Sequence, residues 1–199
     1  MRIVGGRLGG RRFPGPPGNV TRPTSERVRE AIASALEARD AIAERRVLDL
    51  YAGTGALGFE ALSRGARSVV FVERDARVAK ALEQSAAGLG VAQEIEILRA
   101  DLTRERCQAE VLQRSPFGLV LMDPPYADLA TAVSVLETLC ERGLLAEDGV
   151  VLLEHAAKST PIVPSALVPL SRYRYGDTAV MLLAAVAAPE VPAQGDDRT

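Results

Sequence analysis

Hydrophobic and polar positions follow two alternating periodicities along most of this chain of 199 residues. Short apolar runs bounded by turn residues predict strands over 47–50, 68–73, 94–101, 117–123 and 149–154. Between them, apolar residues recur every three or four positions and predict helices over 56–64, 75–88, 103–113 and 128–142. Strands separated by helical segments of this length predict βαβ crossovers and a parallel, twisted sheet, so the fold class is α/β.

The C-terminal part departs from this alternation. Residues 168–175 and 178–183 read as two further strands joined by Gly176-Asp177, a strong hairpin turn with no helix between the strands. We therefore expect a mostly parallel sheet of seven strands that finishes with an antiparallel strand. The segment 187–199, rich in Pro, Ala and Asp, predicts a disordered tail.

The N-terminal part should form a small extension of the domain. Residues 1–6 and 10–13 can pair as a hairpin, although their glycines weaken both strands. A helix should follow, capped by Thr24 or Ser25 and burying an apolar face that includes Val28, Ile32 and Leu36. The sequence thus divides into a basic N-terminal hairpin or arm at 1–23, a main domain at 24–186 and the tail.

The composition is that of a globular protein, with 47% hydrophobic and 25% charged residues. No apolar run reaches the roughly 18 residues of a membrane span, and the N-terminus lacks the apolar block of a signal peptide, so we expect a cytoplasmic protein with no membrane partner. Cys107 and Cys140 fall on separate predicted helices and should be reduced thiols. His155, the single histidine, should lie in a loop after the fifth strand, and no metal site is expected.

Charge is unevenly distributed along the chain. Residues 1–25 contain five arginines and no acidic residue, so the net charge of −2 leaves −7 on the other 174 residues. A purely arginine-based basic segment favours binding to a polyanion, because the planar guanidinium binds phosphate through two hydrogen bonds; a merely solvated terminus is the alternative. The first helix should extend this surface, which gives as candidate RNA-binding residues Arg2, Arg7, Arg11, Arg12, Arg22, Thr24, Arg27 and Arg29.

A glycine turn between the first strand and its helix predicts a nucleotide-like cofactor. Residues 53–58 match the pattern G-x-G-x-x-G, and Glu73 lies twenty residues beyond Gly53, where it can accept hydrogen bonds from ribose hydroxyls. NAD and S-adenosylmethionine both fit that pattern. Asp49 favours S-adenosylmethionine, because its charge would repel a pyrophosphate but can hold an ammonium group. Asp101, at the end of the third strand, can accept from an adenine amine, and a terminal antiparallel hairpin is expected of methyltransferases.

The fourth predicted strand ends in Asp123-Pro124-Pro125-Tyr126. The two prolines remove two N–H donors and fix two φ angles, which makes a stiff turn at the carboxyl end of a strand, where open α/β sheets bind ligands. An exocyclic amine of a nucleobase is a poor nucleophile because its lone pair is delocalised into the ring. Asp123 and the Pro124 carbonyl can accept its two N–H bonds and free that lone pair, while Tyr126 stacks on the base. An ordinary turn is the alternative for this motif taken alone.

Four blocks of the sequence, in order, resemble the RsmD family of bacterial enzymes, which methylate a guanine N2 in small-subunit ribosomal RNA. The resemblance extends over nearly all of residues 1 to about 185, and the four blocks that carry it are Arg2-Ile-Val-Gly-Gly; Arg22-Pro-Thr24 with Arg27-Val-Arg-Glu30; Asp49-Leu-Tyr-Ala-Gly-Thr-Gly-Ala-Leu-Gly58 with Glu60-Ala-Leu-Ser-Arg64; and Asp123-Pro-Pro-Tyr126. The resemblance implies a class I, Rossmann-like methyltransferase fold and S-adenosylmethionine as cofactor, and we expect a monomer. It also implies, as partner, 16S ribosomal RNA within the small ribosomal subunit or its assembly intermediate.

The resemblance also implies roles for individual residues. Asp49 with Ala52, Gly53, Thr54 and Gly55 should contact the methionine end of the cofactor. Its ribose should meet Glu73 and the adjoining Arg74, and its adenine Asp101 and Leu102. Asp123 and Pro124 should receive the guanine amine, with Pro125 holding the turn and Tyr126 stacking on the base.

Three other functions stay open on the sequence. A related amino-methyltransferase could act on another RNA, DNA adenine or a protein amide, although turns of that kind often begin with Asn. An NAD-linked oxidoreductase would leave the Asp-Pro-Pro-Tyr turn unexplained. A non-enzymatic RNA-binding or assembly factor would explain the arginines but leave the glycine turn without a role.

Overall fold

The computed structural model describes residues 1–15 and 25–186, so Arg22, Thr24 and the predicted tail lie outside the described residues. Seven strands form one sheet in the order β3-β2-β1-β4-β5-β7-β6. Their bounds are β1 Arg46–Leu50, β2 Ser68–Glu73, β3 Ile95–Arg99, β4 Phe117–Met122, β5 Leu145–Ala156, β6 Leu167–Tyr175 and β7 Thr178–Ala185. The first five strands pair in parallel, and β7 runs antiparallel between β5 and β6.

Within the described residues, four α-helices connect successive strands and a fifth precedes β1, as predicted. They are α1 Glu26–Glu37, α2 Ala56–Ser63, α3 Ala76–Leu89, α4 Glu105–Leu112 and α5 Leu129–Glu141, with short 3-10 turns at Gly6–Leu8, Ala92–Glu94 and Tyr126–Asp128. The predicted α/β architecture with a terminal antiparallel hairpin is therefore confirmed. The largest difference lies in β5, which begins four residues before its predicted start, because the register shift between Phe117 and Leu119 lets Leu145 join the sheet.

The central strands of the sheet are buried on both faces, which makes a three-layer core. Side chains alternate across each strand. Phe71, Leu121 and Leu152 pack on one face with residues of α1, α2 and α3. Val70, Val120 and Val151 pack on the other face with residues of α4 and α5. Helices on both faces explain why the central strands are continuous apolar runs in the sequence.

The N-terminal segment packs on the domain. Its two halves pair antiparallel through a single bridge between Arg2 and Arg12, which is less regular than the predicted hairpin. Ile3, Leu8 and Phe13 are buried, and the Phe13 ring meets the Phe59 ring of α2 edge-on at a centroid distance of 5.3 Å. The segment is thus held by apolar burial as well as by hydrogen bonds.

Glu60 on α2 anchors this segment. Its buried carboxylate accepts hydrogen bonds from the backbone N–H groups of Val4 and Gly5, both at 2.9 Å. Arg64 donates to the same carboxylate at 3.1 Å, and its guanidinium also pairs with Glu30 and Glu37 of α1. One acidic side chain therefore joins the N-terminal segment, α1 and α2.

Two side chains lie elsewhere than the sequence predicted. Arg29 is 2% exposed instead of extending the basic surface, because the face of α1 that docks carries Arg29, Ile32 and Leu36. Its guanidinium donates to the Arg2 carbonyl oxygen at 2.7 Å, and burial lowers its pKa. His155 lies inside β5 and is buried, not in a loop, because that strand continues to Ala156.

Candidate active site

One cavity of about 850 Å³ opens at the carboxyl ends of the parallel strands. Gly53, Glu73 and Asp101 line one part of it, and residues 123–126 line another. The volume lies in the range of roughly 300–1,000 Å³ that is usual for ligand pockets. The glycine turn and the double-proline turn, 70 residues apart in sequence, thus share a single hollow.

The glycine turn has a backbone conformation that favours glycine. Tyr51, Gly53 and Gly55 all adopt left-handed φ angles, of 61°, 52° and 74°. A Cβ on Gly55 would also lie 2.6 Å from Leu82 Cδ2 and 2.8 Å from Phe59 Cε2, so the turn packs directly on the core. No such contact exists at Gly53, where the nearest atom to an added Cβ is 3.8 Å away. The Gly53 side of the turn is therefore free to approach a ligand.

Asp49 lies behind this turn. Its side chain is 2% exposed and accepts a hydrogen bond from the Gly58 N–H at 3.0 Å, in the first turn of α2. Burial, and after it the nearby charges of Asp123 and Glu73, hold its pKa well above the usual range against that hydrogen bond. Asp49 is outside the cavity lining, as are three neighbours that the sequence analysis assigned to the cofactor, Ala52, Thr54 and Gly55.

Glu73 and Asp101 present fixed carboxylates to the cavity. Glu73 accepts from the N–H groups of Gly53 at 3.0 Å and Asp75 at 2.8 Å, which links the end of β2 to the glycine turn. Asp101 accepts from the N–H and the hydroxyl of Thr103 at 3.0 and 2.7 Å, and these hydrogen bonds lower its pKa. Arg74 and Leu102 also line this part. Because each carboxylate oxygen has a second lone pair, both groups can still accept from a ligand.

The double-proline turn forms the opposite part of the cavity. Asp123 follows β4 directly, Pro124 is buried, and Pro125 and Tyr126 are exposed. The Tyr126 hydroxyl lies 3.2 Å from Thr178 Oγ1 at the start of β7, while 47% of the residue's surface is open to solvent. The hydroxyl end of the Tyr126 side chain is therefore held by Thr178, while part of the residue stays open for stacking with a planar group.

Asp123 has the electrostatics of a functional acid. Burial raises its pKa from 3.8 to about 6, since no described group supplies a strong compensating positive charge. The carboxylate is thus ionised at neutral pH and gains a proton in mildly acidic solution.

These residues fit an unphosphorylated, positively charged nucleoside. Glu73 and Asp101 supply acceptors for hydroxyl and amine groups, and Val72, Val78 and Leu102 supply an apolar wall. A pyrophosphate would meet the carboxylates of Glu73 and Asp101 in this hollow, which is unfavourable. No described helix is long and apolar enough to cross a membrane, and within residues 1–15 and 25–186 no three metal-binding side chains gather.

Comparison with known proteins identifies the family. A family model described as "Conserved hypothetical protein 95" matches residues 1–184. The chain is 32% identical over 169 residues to ribosomal RNA small subunit methyltransferase D of Escherichia coli K12, which covers 83% of this chain and 80% of the relative. The corresponding protein of Haemophilus influenzae is 31% identical over 175 residues, or 82% of each chain. The chain belongs to the RsmD family.

Solved structures agree with this assignment. A hypothetical protein of Thermus thermophilus superposes with a TM-score of 0.77 at 30% identity, over 94% of this chain and 99% of the other. The fold alone is shared with TrmN of the same organism, at a TM-score of 0.63 and 20% identity over 80% of this chain and 48% of the other. The expected class I methyltransferase fold and the assignment as a methyltransferase are confirmed.

The cavity of this RsmD-family methyltransferase includes residues that sequence reasoning missed. Glu154 lies near the end of β5, Tyr175 and Thr178 flank the β6–β7 turn, and Ser25 and Val28 belong to the start of α1. The signal available for Glu154 was a charged residue at the carboxyl end of an apolar run. Nothing in the sequence indicated that α1 would reach the cavity.

The basic N-terminal residues lie on two parts of the domain surface. Arg2 pairs with Glu26 at 2.7 Å, one residue from the cavity-lining Ser25. Arg7 pairs with Glu94, and Arg11 donates to the Gly88 and Leu89 carbonyl oxygens at the end of α3, at 2.8 and 2.6 Å. Arg12 and Arg27 are exposed. Several of these arginines thus also contribute to holding the N-terminal segment.

Proposed function

We propose that this enzyme transfers the methyl group of S-adenosylmethionine to the exocyclic N2 amine of a guanine in 16S ribosomal RNA. The observation that carries the proposal is the single cavity shared by the carboxylates of Glu73 and Asp101 and the turn from Asp123 to Tyr126. The substrate class comes from relatives named ribosomal RNA small subunit methyltransferase D, which match over about four fifths of their own length.

The part of the cavity at the glycine turn would hold the cofactor. Glu73 would accept from the ribose hydroxyls, with Arg74 beside it, and Asp101 with Leu102 would meet the adenine. The turn of residues 52–55 would bring its backbone to the methionine end, while Asp49, which binds the Gly58 N–H, keeps that turn in place. S-adenosylmethionine, when bound, supplies a methyl group activated by a sulfonium.

The double-proline turn would hold the target amine. The Asp123 carboxylate and the Pro124 carbonyl oxygen would accept its two N–H bonds and localise the lone pair on nitrogen, and Tyr126 would stack on the flipped base. Pro125 keeps this turn rigid. Because its pKa is about 6, Asp123 can also take the proton that the nitrogen loses after transfer. Positioning in the shared cavity supplies most of the acceleration.

The basic N-terminal residues would bind the RNA backbone next to the cavity. Arg2, Arg12 and Arg27 carry positive charge around the start of α1, which itself borders the cavity, and Arg7 and Arg11 extend the basic surface to the end of α3. Phosphate contacts of this kind set the position of the nucleic acid, and the cavity then reads the base.

The direct test replaces Asp123. Asp123→Ala removes the acceptor for the amine, and we expect methyl incorporation into 16S ribosomal RNA to fall by about 100-fold or more, in line with losses of transition-state hydrogen bonds. Labelled S-adenosylmethionine and unmethylated small subunits measure the transfer, and mapping identifies the modified nucleotide. Asp148→Ala, a surface acid paired with Arg45, is the matched control and should keep the parent rate. Parent-like transfer by Asp123→Ala would disprove the assigned role.

A further inference from the structure

Glu154 is a buried acid in the acceptor half of the cavity. The residue is 3% exposed and lines the cavity with Asp123, Tyr126 and Thr178. An ionisable side chain so deeply buried directly after the apolar run 150–153 is expensive to keep, and such groups concentrate at functional sites. The methyl transfer proposed above does not use Glu154.

The sheet register puts Glu154 beside Asp123. In the parallel pairing of β4 with β5, Met122 is opposite Leu153, and Asp123 and Glu154 are each the next residue. Neighbouring strands lie about 4.8 Å apart, and residues at matching register positions point to the same face. The register therefore brings these two acidic residues to neighbouring positions at the strand ends that line the cavity.

Guanine is the base whose edge matches two adjacent acceptors. Its exocyclic N2 amine stands next to a ring N1–H, so the edge presents donors side by side. Adenine and cytosine also carry an exocyclic amine, but the neighbouring ring nitrogen has a lone pair and accepts. An amine-binding carboxylate alone cannot tell these bases apart. A second carboxylate that faces the ring nitrogen can distinguish guanine from adenine and cytosine.

We propose that Glu154 specifies guanine by accepting a hydrogen bond from its ring N1–H while Asp123 and Pro124 hold the N2 amine. The inference rests on the proposed function and adds the group that selects the base. With adenine or cytosine in the same pose, the carboxylate meets a lone pair and stays without its hydrogen bond, which rejects those bases. Specificity thus arises from one buried acidic side chain in the pocket.

The test uses 2-aminopurine, which keeps the amine but has a lone pair on N1. The substrates are small subunits reconstituted with 16S RNA that carries guanine or 2-aminopurine at the mapped target, and the readout is the ratio of the two kcat/KM values. We expect the wild-type enzyme to prefer guanine by roughly 10- to 100-fold, in line with the cost of leaving a buried acceptor without its hydrogen bond. Glu154→Gln, whose amide can donate to the N1 lone pair, should lower the ratio about tenfold or more.

Glu73→Gln is the matched control, since it changes a carboxylate in the cofactor part of the same cavity. It should slow both substrates together and leave the ratio unchanged. An unchanged ratio in folded Glu154→Gln would overturn the inference. If that variant does not fold, the wild-type enzyme alone decides, with 1-methylguanine at the target, which has no N1–H to donate. Efficient methylation of 1-methylguanine or of 2-aminopurine would overturn the inference. Absence of any transfer to the guanine substrate would instead refute the proposed function itself.

Discussion

At the residue scale, the site depends on placing carboxylates where water is scarce. Asp123 sits at the end of a fully buried strand, and burial raises its pKa to about 6. The same desolvation that makes the ionised form costly strengthens its hydrogen bonds to an amine. Function at this position therefore opposes stability, as is common for active-site acids.

This raised pKa predicts a pH dependence of activity. The carboxyl is ionised and able to accept above about pH 6, and it gains a proton as pH falls through that value, two units earlier than an ordinary Asp. The rate of methyl transfer should therefore decline below about pH 6, approaching tenfold per unit.

Asp123→Asn provides the comparison for that profile, because its amide oxygen accepts at every pH. Single-turnover rates between pH 5 and 8 should show a flatter acid limb for this variant than for the parent. Equal acid limbs in the two proteins would assign the titration to another group.

At the element scale, α2 and the glycine turn are held by close packing against the sheet. Asp49 on β1 accepts the Gly58 N–H, and this contact requires that position 58 carry no side chain. An added Cβ would lie 2.3 Å from Phe71 Cε1 and 2.9 Å from Asp49 Oδ2. The third glycine of the motif thus serves helix packing and not the ligand directly.

Substitution of two helix glycines distinguishes the effect of close packing from the general preference of helices for alanine. Gly58→Ala should destabilise the fold by about 1–3 kcal/mol through overpacking. Gly88→Ala on α3 meets no atom within 4 Å and should stabilise by about 0.5–1 kcal/mol, as Ala favours helix. Denaturant titration of both variants measures the difference. Equal stabilities would show that Gly58 can move away from Phe71 without loss.

At the scale of the whole molecule, the N-terminal segment docks on the domain and brings positive charge to the cavity. Glu60 binds its backbone, Phe13 packs on Phe59, and Arg2 pairs with Glu26 at the start of α1. The net charge of the chain is −2, so we propose that this local basic surface is the part that attracts RNA.

Arg12 tests that surface, since it is exposed beside Arg2 in the docked segment. Arg12→Gln should weaken RNA binding and reduce the slope of log affinity against log salt by about one, because one fewer counterion is released. Arg106→Gln on α4 is the control, an equally exposed arginine on the helix layer opposite α1, and should bind as the parent does. A parent-like salt slope for Arg12→Gln would remove that residue from the interface.

Local chemistry along the chain was enough to predict the strands, the helices and the two turns of the site. The seven strands, the five helices and the two turns at Gly53 and Asp123 were predicted, because periodicity, glycine and proline act through the backbone over a few residues. Their order along the chain also placed both turns at the carboxyl edge of a parallel sheet. That the two turns share a cavity is confirmed by the structure.

The tertiary structure alone decided the surroundings of Arg29 and Glu154. Arg29 turned inward because α1 docks on the N-terminal segment, and the Arg2 carbonyl oxygen accepts a hydrogen bond from its guanidinium. Glu154 faces the cavity because the register of β5 against β4 places it beside Asp123. The backbone of each element follows from its own residues, whereas the surroundings of a side chain depend on neighbours that are distant in sequence.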